Sequence, residues 1–254
     1  MSLVQKMREK REERITPSEW PVPLQVVGWS LRDWWDDWVN MVVVNLLLSL
    51  AWLTIVLGPP ATFGLYYITN HLARGQSLGP RGLFEGGRRY FLQSWLWFLL
   101  NLVVATVLGV NYFFYASLTP AWADYLKAAF VLLGLAWLVV QFYALPFFIA
   151  QHEKRVGLAL RNGLFTALAA PGYSLVVVGA AGLVTGLSIG TVALLFLGGP
   201  CLVAALGGRA VLERLETYRI QEREEVQNRA DTIIRMDKLC QSPPVGGANK
   251  PPTN

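Results

Sequence analysis

The sequence predicts an all-α protein: a polytopic transmembrane helical bundle of about six membrane segments, the second of them short, with interfacial helices alongside. Three observations carry that expectation. First, residues 39–57 and 128–150 contain no charged side chain, in a chain where 15% of residues are charged and 54% are apolar or aromatic. A soluble fold would spread charge over every exposed face, so such runs must meet lipid or one another. Second, the 22 Lys and Arg are crowded: six precede Val39, four fall between His71 and Phe91, three between Gln151 and Gly163, eight follow Gly208, and Lys127 stands apart. Third, the aromatic residues gather near the ends of the apolar runs. Trp34, Trp35, Trp38, Trp95, Trp97 and Trp122 read as anchors at headgroup level.

Residues 1–38 read as a charged lead-in, helical or frayed, followed by the Trp-rich stretch WPVPLQVVGWSLRDWWDDW. That stretch is too polar to span and too apolar to float free, which suits an interfacial helix. The lead-in is polar for too long to be a secretory signal, so the first spanning helix is expected to remain as an anchor. Residues 39–57 form that helix, at about 1.5 Å of rise per residue close to the hydrocarbon thickness. Gly58, Pro59 and Pro60 make a structural elbow: the prolines lack amide hydrogens and disfavour helical geometry before them, while Pro60 can open a new helix. The arm 61–73 is short for a crossing. Basic residues of short loops stay on the cytoplasmic side, so the clusters flanking the elbow require the chain to leave and return between them. A short crossing helped by neighbouring helices is the preferred reading, and a re-entrant hairpin the alternative.

After the loop RGQSLGPRGLFEGGRRYF come spans at about 92–116 and 128–150, joined on the outside by SLTPAWAD, which has no Lys or Arg. Residues 156–169 have helical spacing with Arg161 on one side, an amphipathic piece at the inner surface, punctuated by Pro171 and Gly172. The last spans are expected at about 173–186 and 191–206, separated by the uncharged GLSIG as an external turn. Thus 39–208 is the transmembrane domain, 209–241 a cytoplasmic helical extension and 242–254 a disordered tail. Both termini fall in the cytoplasm of a cell (inner) membrane protein.

The run NLLLSLAWLTIVLGPPATFGLYY, residues 45–67, resembles the start of the YesL-like family of bacterial membrane proteins, a domain of unknown function. The resemblance rests on Asn45, Leu46 and Leu47, on Gly58 with Pro60, Ala61 and Thr62, and on Tyr66 and Tyr67. GLFEGGRRYF, FYALPFF and LGGPCLVAAL look like its later segments, so the likeness covers about residues 30–215. It implies no activity. Its members often accompany carbohydrate-uptake systems, which implies an accessory role.

Catalysis needs a nucleophile, a base and an orienting partner within reach. The two histidines, His71 and His152, are conceivable as a pair, but interfacial polar residues are the simpler reading. Cys201 and Cys240 suggest neither a bridge nor metal spacing. No catalytic residue, metal or cofactor is expected, and GGPCLVAALGG lacks the Lys and Ser/Thr of a phosphate-binding loop. Asn45, Asn101 and Gln141, with Ser49, Asn111 and Thr185, offer intramembrane polar contacts: glue between helices, or the lining of a hydrophilic path. Gly182, Gly186 and Gly190 have small-xxx-small spacing, read as helix packing inside the chain. The surplus charge of +5 comes from inner loops and tail and suits anionic headgroups rather than nucleic acid. A noncatalytic accessory or scaffolding protein follows, with the lipid bilayer and a transport complex or cytoplasmic partner, reached through the C-terminal helix, as its associates. A small-solute carrier or channel is the rival class, and a membrane enzyme a distant third.

Overall fold

Every described element is a helix, because long stretches without breakers or charge can satisfy their own backbone only that way in an apolar medium. The computed structural model describes residues 20–120, 122–151, 153–191, 196 and 198–241, without the side chains of 221, 223–225 and 227–241. The charged lead-in 1–19, His152 and the tail 242–254 lie outside the described residues.

α1 (Val22–Asp36) follows Pro21 and carries Pro23 in its first turn, where a missing N–H costs nothing. It meets α2 (Trp38–Leu53) at an 88° bend about Asp37. The Asp37 carboxylate staples the bend, accepting from Asn40 Nδ2 at 2.6 Å and from Ser77 Oγ at 2.7 Å.

The expected first span ends early, at Leu53 rather than residue 57. Pro59 and Pro60 cannot donate to the carbonyls of Ile55 and Val56, so the chain must leave the helix before them. The Trp52 ring also folds over Gly58, where an added Cβ would lie 2.7 Å from it, and Trp52 Nε1 donates to Thr62 Oγ1 at 3.2 Å. α3 (Gly58–Ala73) restarts at Gly58, with both prolines inside its first turn rather than ahead of it. In the link, Ile55 sits at φ 57°, a left-handed conformation that a β-branched residue adopts at a cost of about 1–2 kcal/mol. Ile55→Gly is therefore expected to raise stability by up to about 1 kcal/mol, read as a higher melting temperature in detergent, because glycine accepts that φ.

α3 is the centre of the fold. Thirteen of its sixteen residues are buried, under α2, α4 (Gly79–Arg89), α5 (Phe91–Ala116) and α6 (Trp122–Ala150). Its length of about 24 Å is thus no obstacle, since protein rather than lipid surrounds it. Met41, Val44 and Leu48 of α2 pack on Leu65, Ile68 and Leu72 of α3, on Leu83, and on Cys201 of α9 (Gly199–Gln241).

α4 replaces what reads in sequence as a basic loop. Its glycines are contact points: a Cβ at Gly64 would collide with the Leu83 carbonyl, and one at Gly86 would lie 2.9 Å from Gly64 Cα. Two backbones meet there without side chains between them.

α5, α6 and α8 (Pro171–Gly190) are long and apolar enough to cross a membrane, at about 39, 44 and 30 Å. α1 with α2 passes the same test only as a bent pair. Almost nothing of α5's apolar stretch is buried: Val103, Val110 and Phe113 point outward along its length. A helix apolar on its exposed face needs lipid as its solvent. α6 begins at Trp122, six residues before its expected start, and takes in Lys127, which pairs with Asp124 one turn earlier. α7 (Val156–Ala169) lies close against α6, a Cβ at Gly163 falling 2.9 Å from Ala144 N.

Two further expectations are corrected. GLSIG is not a turn, since α8 runs helical through Gly190. Nor do Gly182, Gly186 and Gly190 pack against any described residue, since among these a Cβ at any of them would meet nothing within 4 Å. Of the expected last span 191–206, residues 192–195 and 197 lie outside the description, and α9 begins at Gly199. The chain forms two compact units, Met1–Glu213 and Arg214–Asn254.

Candidate functional site

The polar side chains expected within the spans are drawn into hydrogen bonds between or within helices. α5 and α6 run antiparallel and exchange two matched contacts one turn apart: Trp97 Nε1 donates to Gln141 Oε1 at 2.9 Å, and Trp137 Nε1 donates to Asn101 Oδ1 at 3.0 Å. Trp97 is consequently buried, not an interfacial anchor. Indole N–H groups in an apolar setting need an acceptor, and each helix supplies one side-chain amide to the indole of the other. Asn101 Nδ2 also donates to Trp97 O at 2.8 Å. Asn45 is fully buried and accepts from Cys201 Sγ at 3.5 Å, joining α2 to α9. Ser49, Asn111 and Thr185 donate to carbonyls one turn back in their own helices.

A polar cavity lies elsewhere, where the ends of α3, α4 and α6 converge. This cleft, of about 400 Å³, is lined by Asn70, His71, Arg74, Arg89, Tyr90 and Lys154, among others. Two basic clusters far apart in sequence meet in it. Its floor is aromatic: Tyr90 packs edge-on to Phe148 with centroids 5.8 Å apart, and Phe63 lies 5.4 Å from Phe148 beneath. Arg89 and Lys154 each stand 5.7 Å from the centre of the Tyr90 ring, within cation–π range.

Lys154 is anchored by the end of α6. Its Nζ donates to the carbonyls of Phe148, Ile149 and Gln151 at 3.2, 2.8 and 2.6 Å, the orphan acceptors that a helix C-terminus leaves. Burial above all, and then the nearby guanidinium charges of Arg89 and Arg74, hold its amine below the usual lysine range. His71 Nδ1 donates to Tyr67 O at 2.9 Å, since a carbonyl can only accept. Its ring rests on Tyr67 at 4.4 Å, leaving Nε2 for the cleft side. The other expected partner, His152, is outside the described residues. Among the described residues no cluster of three His, Cys, Asp or Glu could hold a metal ion.

Two further polar contacts tie basic segments to the first two helices. Arg209 Nε reaches Asp33 Oδ2 at 2.6 Å, tying the fourth basic cluster to α1, while Ser77 ties the second to the α1–α2 bend. Two other cavities, of about 780 and 470 Å³, are walled almost wholly by aliphatic and aromatic side chains around α2, and offer room for hydrocarbon rather than for chemistry.

The cleft was missed in sequence because its parts come from three separate segments. The available signal was the pairing of Arg88-Arg89-Tyr90 with Lys154-Arg155, two basic stretches bracketing one helical hairpin. Comparison of the chain with protein-family models, with curated proteins and with solved structures gives no match.

Proposed function

We propose that the protein is a noncatalytic accessory or scaffolding component of a bacterial cell membrane, standing beside a transport or envelope system, with both termini cytoplasmic. The observation that carries the reading is the pair of Trp–amide contacts between α5 and α6. Polar groups consumed in reciprocal interhelical bonds brace a framework and leave less for a passing solute. The proposed topology keeps six membrane segments, counting the bent α1–α2 unit's second arm, α3 and α9's first turns with the three long helices. Contacts among the basic clusters support one common cytoplasmic side for them, as short loops rich in Lys and Arg require. The YesL-like resemblance at residues 45–67 supports the link to carbohydrate uptake. The C-terminal helix is the surface proposed for a partner.

A carrier is the second reading, favoured by the 88° break between α1 and α2 and by Gln141 Nε2, a buried donor without a partner among the described residues. Broken helices and free polar atoms are how carriers build sites within the bilayer. Uptake of a panel of sugars into proteoliposomes separates the two. No saturable flux is expected for the wild type. Saturable flux that Asn101→Leu or Gln141→Leu abolishes overturns the accessory reading.

A further inference from the structure

Three cations crowd the cleft at the ends of α3, α4 and α6. Arg74, Arg89 and Lys154 line it together, and among the described residues none of them forms an ion pair with a carboxylate. Two acids stand close by: Glu85, whose Oε1 accepts from Tyr67 OH at 3.1 Å, and Glu153, which pairs with Arg155 rather than with a cation of the cleft. Like charges gathered over an aromatic floor repel one another; the lowered basicity of Lys154 comes first from its burial and then from the charges of Arg89 and Arg74. An arrangement of this kind is stabilised by an anion placed among the cations.

The donors also have a direction. Lys154 spends its three N–H bonds on the carbonyls of α6, so it contributes charge to the cleft but no free donor. Direct contact falls to the two guanidinium groups, whose forked N–H geometry matches paired oxygens. The same cleft is lined by Asn70, 5% exposed, whose Nδ2 has no hydrogen-bond partner among the described residues. A buried amide donor left unpaired is destabilising, and a ligand oxygen in the cleft would satisfy it. Gln151 lines the same cavity with a buried Oε1 that has no partner among the described residues, a single acceptor suited to a hydroxyl beside the anion.

We propose that this cleft binds a phosphate monoester through Arg74, Arg89 and Asn70, with Lys154 supplying field. The three cations less the Glu85 carboxylate leave a surplus that a dianion neutralises. A tetrahedral group with three terminal oxygens uses two guanidinium forks and an amide at once, which a carboxylate does not. The ester belongs to a lipid headgroup or to a soluble phosphorylated compound; the recognition chemistry is the same. The proposal rests on the reading above that this end of the bundle faces the cytoplasm.

The test uses the full chain in nanodiscs. In discs of phosphatidylcholine alone, glycerol 3-phosphate is titrated calorimetrically; in a second arm, discs carry phosphatidic acid, and retention of that lipid through purification is measured by mass spectrometry. Binding in either arm is expected for the wild type, and the arm that responds identifies the source. Arg74→Gln and Arg89→Gln should each weaken it about tenfold, the loss of one charge-assisted contact. Asn70→Leu should weaken it less, and Arg161→Gln, which faces outward against Phe165, should leave it unchanged. Absence of binding in both arms overturns the proposal, as does binding that the Arg74→Gln/Arg89→Gln protein retains while eluting as a single species. Orientation is read separately, by labelling Gln76→Cys in intact cells: external labelling sinks the topology and leaves the binding result standing.

Discussion

Gly64→Ala is expected to leave the chain unable to hold its fold in detergent, although alanine is the better helix former. Intrinsic propensity favours the substitution by about 1 kcal/mol, and at an open position that is the observed sign. At Gly64 the added methyl would collide with the carbonyl oxygen of Leu83 and stand 2.9 Å from its carbonyl carbon. Both obstacles are backbone, so no rotamer change relieves them. α4 would have to move off α3, and with it Leu83, Gly86 and Gly87, which pack against Ile68, Tyr67 and Pro60. Overpacking costs about 1–3 kcal/mol where side chains can yield; against a fixed carbonyl the upper end or beyond is expected. Set against a total stability of about 5–15 kcal/mol, this is a large fraction. Size-exclusion elution after a temperature ramp reads it as early loss of the monodisperse peak. Gly109→Ala and Gly179→Ala are the controls, since a Cβ at either meets nothing within 4 Å and should change stability by no more than about 0.5 kcal/mol. A Gly64→Ala protein as stable as those controls would mean that α3 and α4 do not cross at these glycines.

The same contact explains why α4 was illegible as a helix. Gly79, Gly82, Gly86 and Gly87 in eleven residues argue against helix by propensity. What overrides it is tertiary: Gly86 and Gly87 remove a side chain where the backbone of α3 must pass, and Gly82 removes one where Ile68 packs. A subtler signal was present in Pro80 at the first turn and in the Gly82-xxx-Gly86 spacing. GLSIG fails in the opposite direction, because its glycines look like punctuation yet continue α8 through Gly190. The elbow was legible, since a proline's missing donor acts within four residues whatever the fold around it. Its position slipped by a few residues because Trp52 lies over Gly58, a contact that no local rule contains. Long apolar runs were legible as helices for the same local reason. Trp97 and Asn101, by contrast, find Gln141 and Trp137 some forty positions away, which composition cannot reveal. The cleft shares that property: each basic cluster was visible, but their meeting over Tyr90 depends on how α3, α4 and α6 end together.

Asp33 and Arg209 should show the largest coupling of any polar pair in the fold. Arg209 Nε lies 2.6 Å from Asp33 Oδ2, with side-chain exposures of 8% and 21%, and the guanidinium sits 5.9 Å from the centre of the Trp29 ring. The pair joins α1 to α9 across 176 positions of sequence. An exposed ion pair contributes about 0–1 kcal/mol, whereas removing one partner of a buried pair strands a charge and costs about 3–5 kcal/mol. Asp33→Leu is therefore expected to be more damaging than Arg209→Leu, because it takes a close carboxylate from the less exposed of the two charges. In the double variant no charge is stranded, and replacement of both members by apolar groups is often neutral. The double variant should recover most of the loss, giving a coupling energy of about 2 kcal/mol or more in a double-mutant cycle of detergent melting curves. Both residues make further polar or ring contacts, so the single losses need not sum to that coupling. Additive single effects would show that Arg209 and Asp33 are not partners in the folded protein. They would also remove the contact by which α1 is held beside the first turns of α9, and with it one of the contacts that support a common side for the basic clusters.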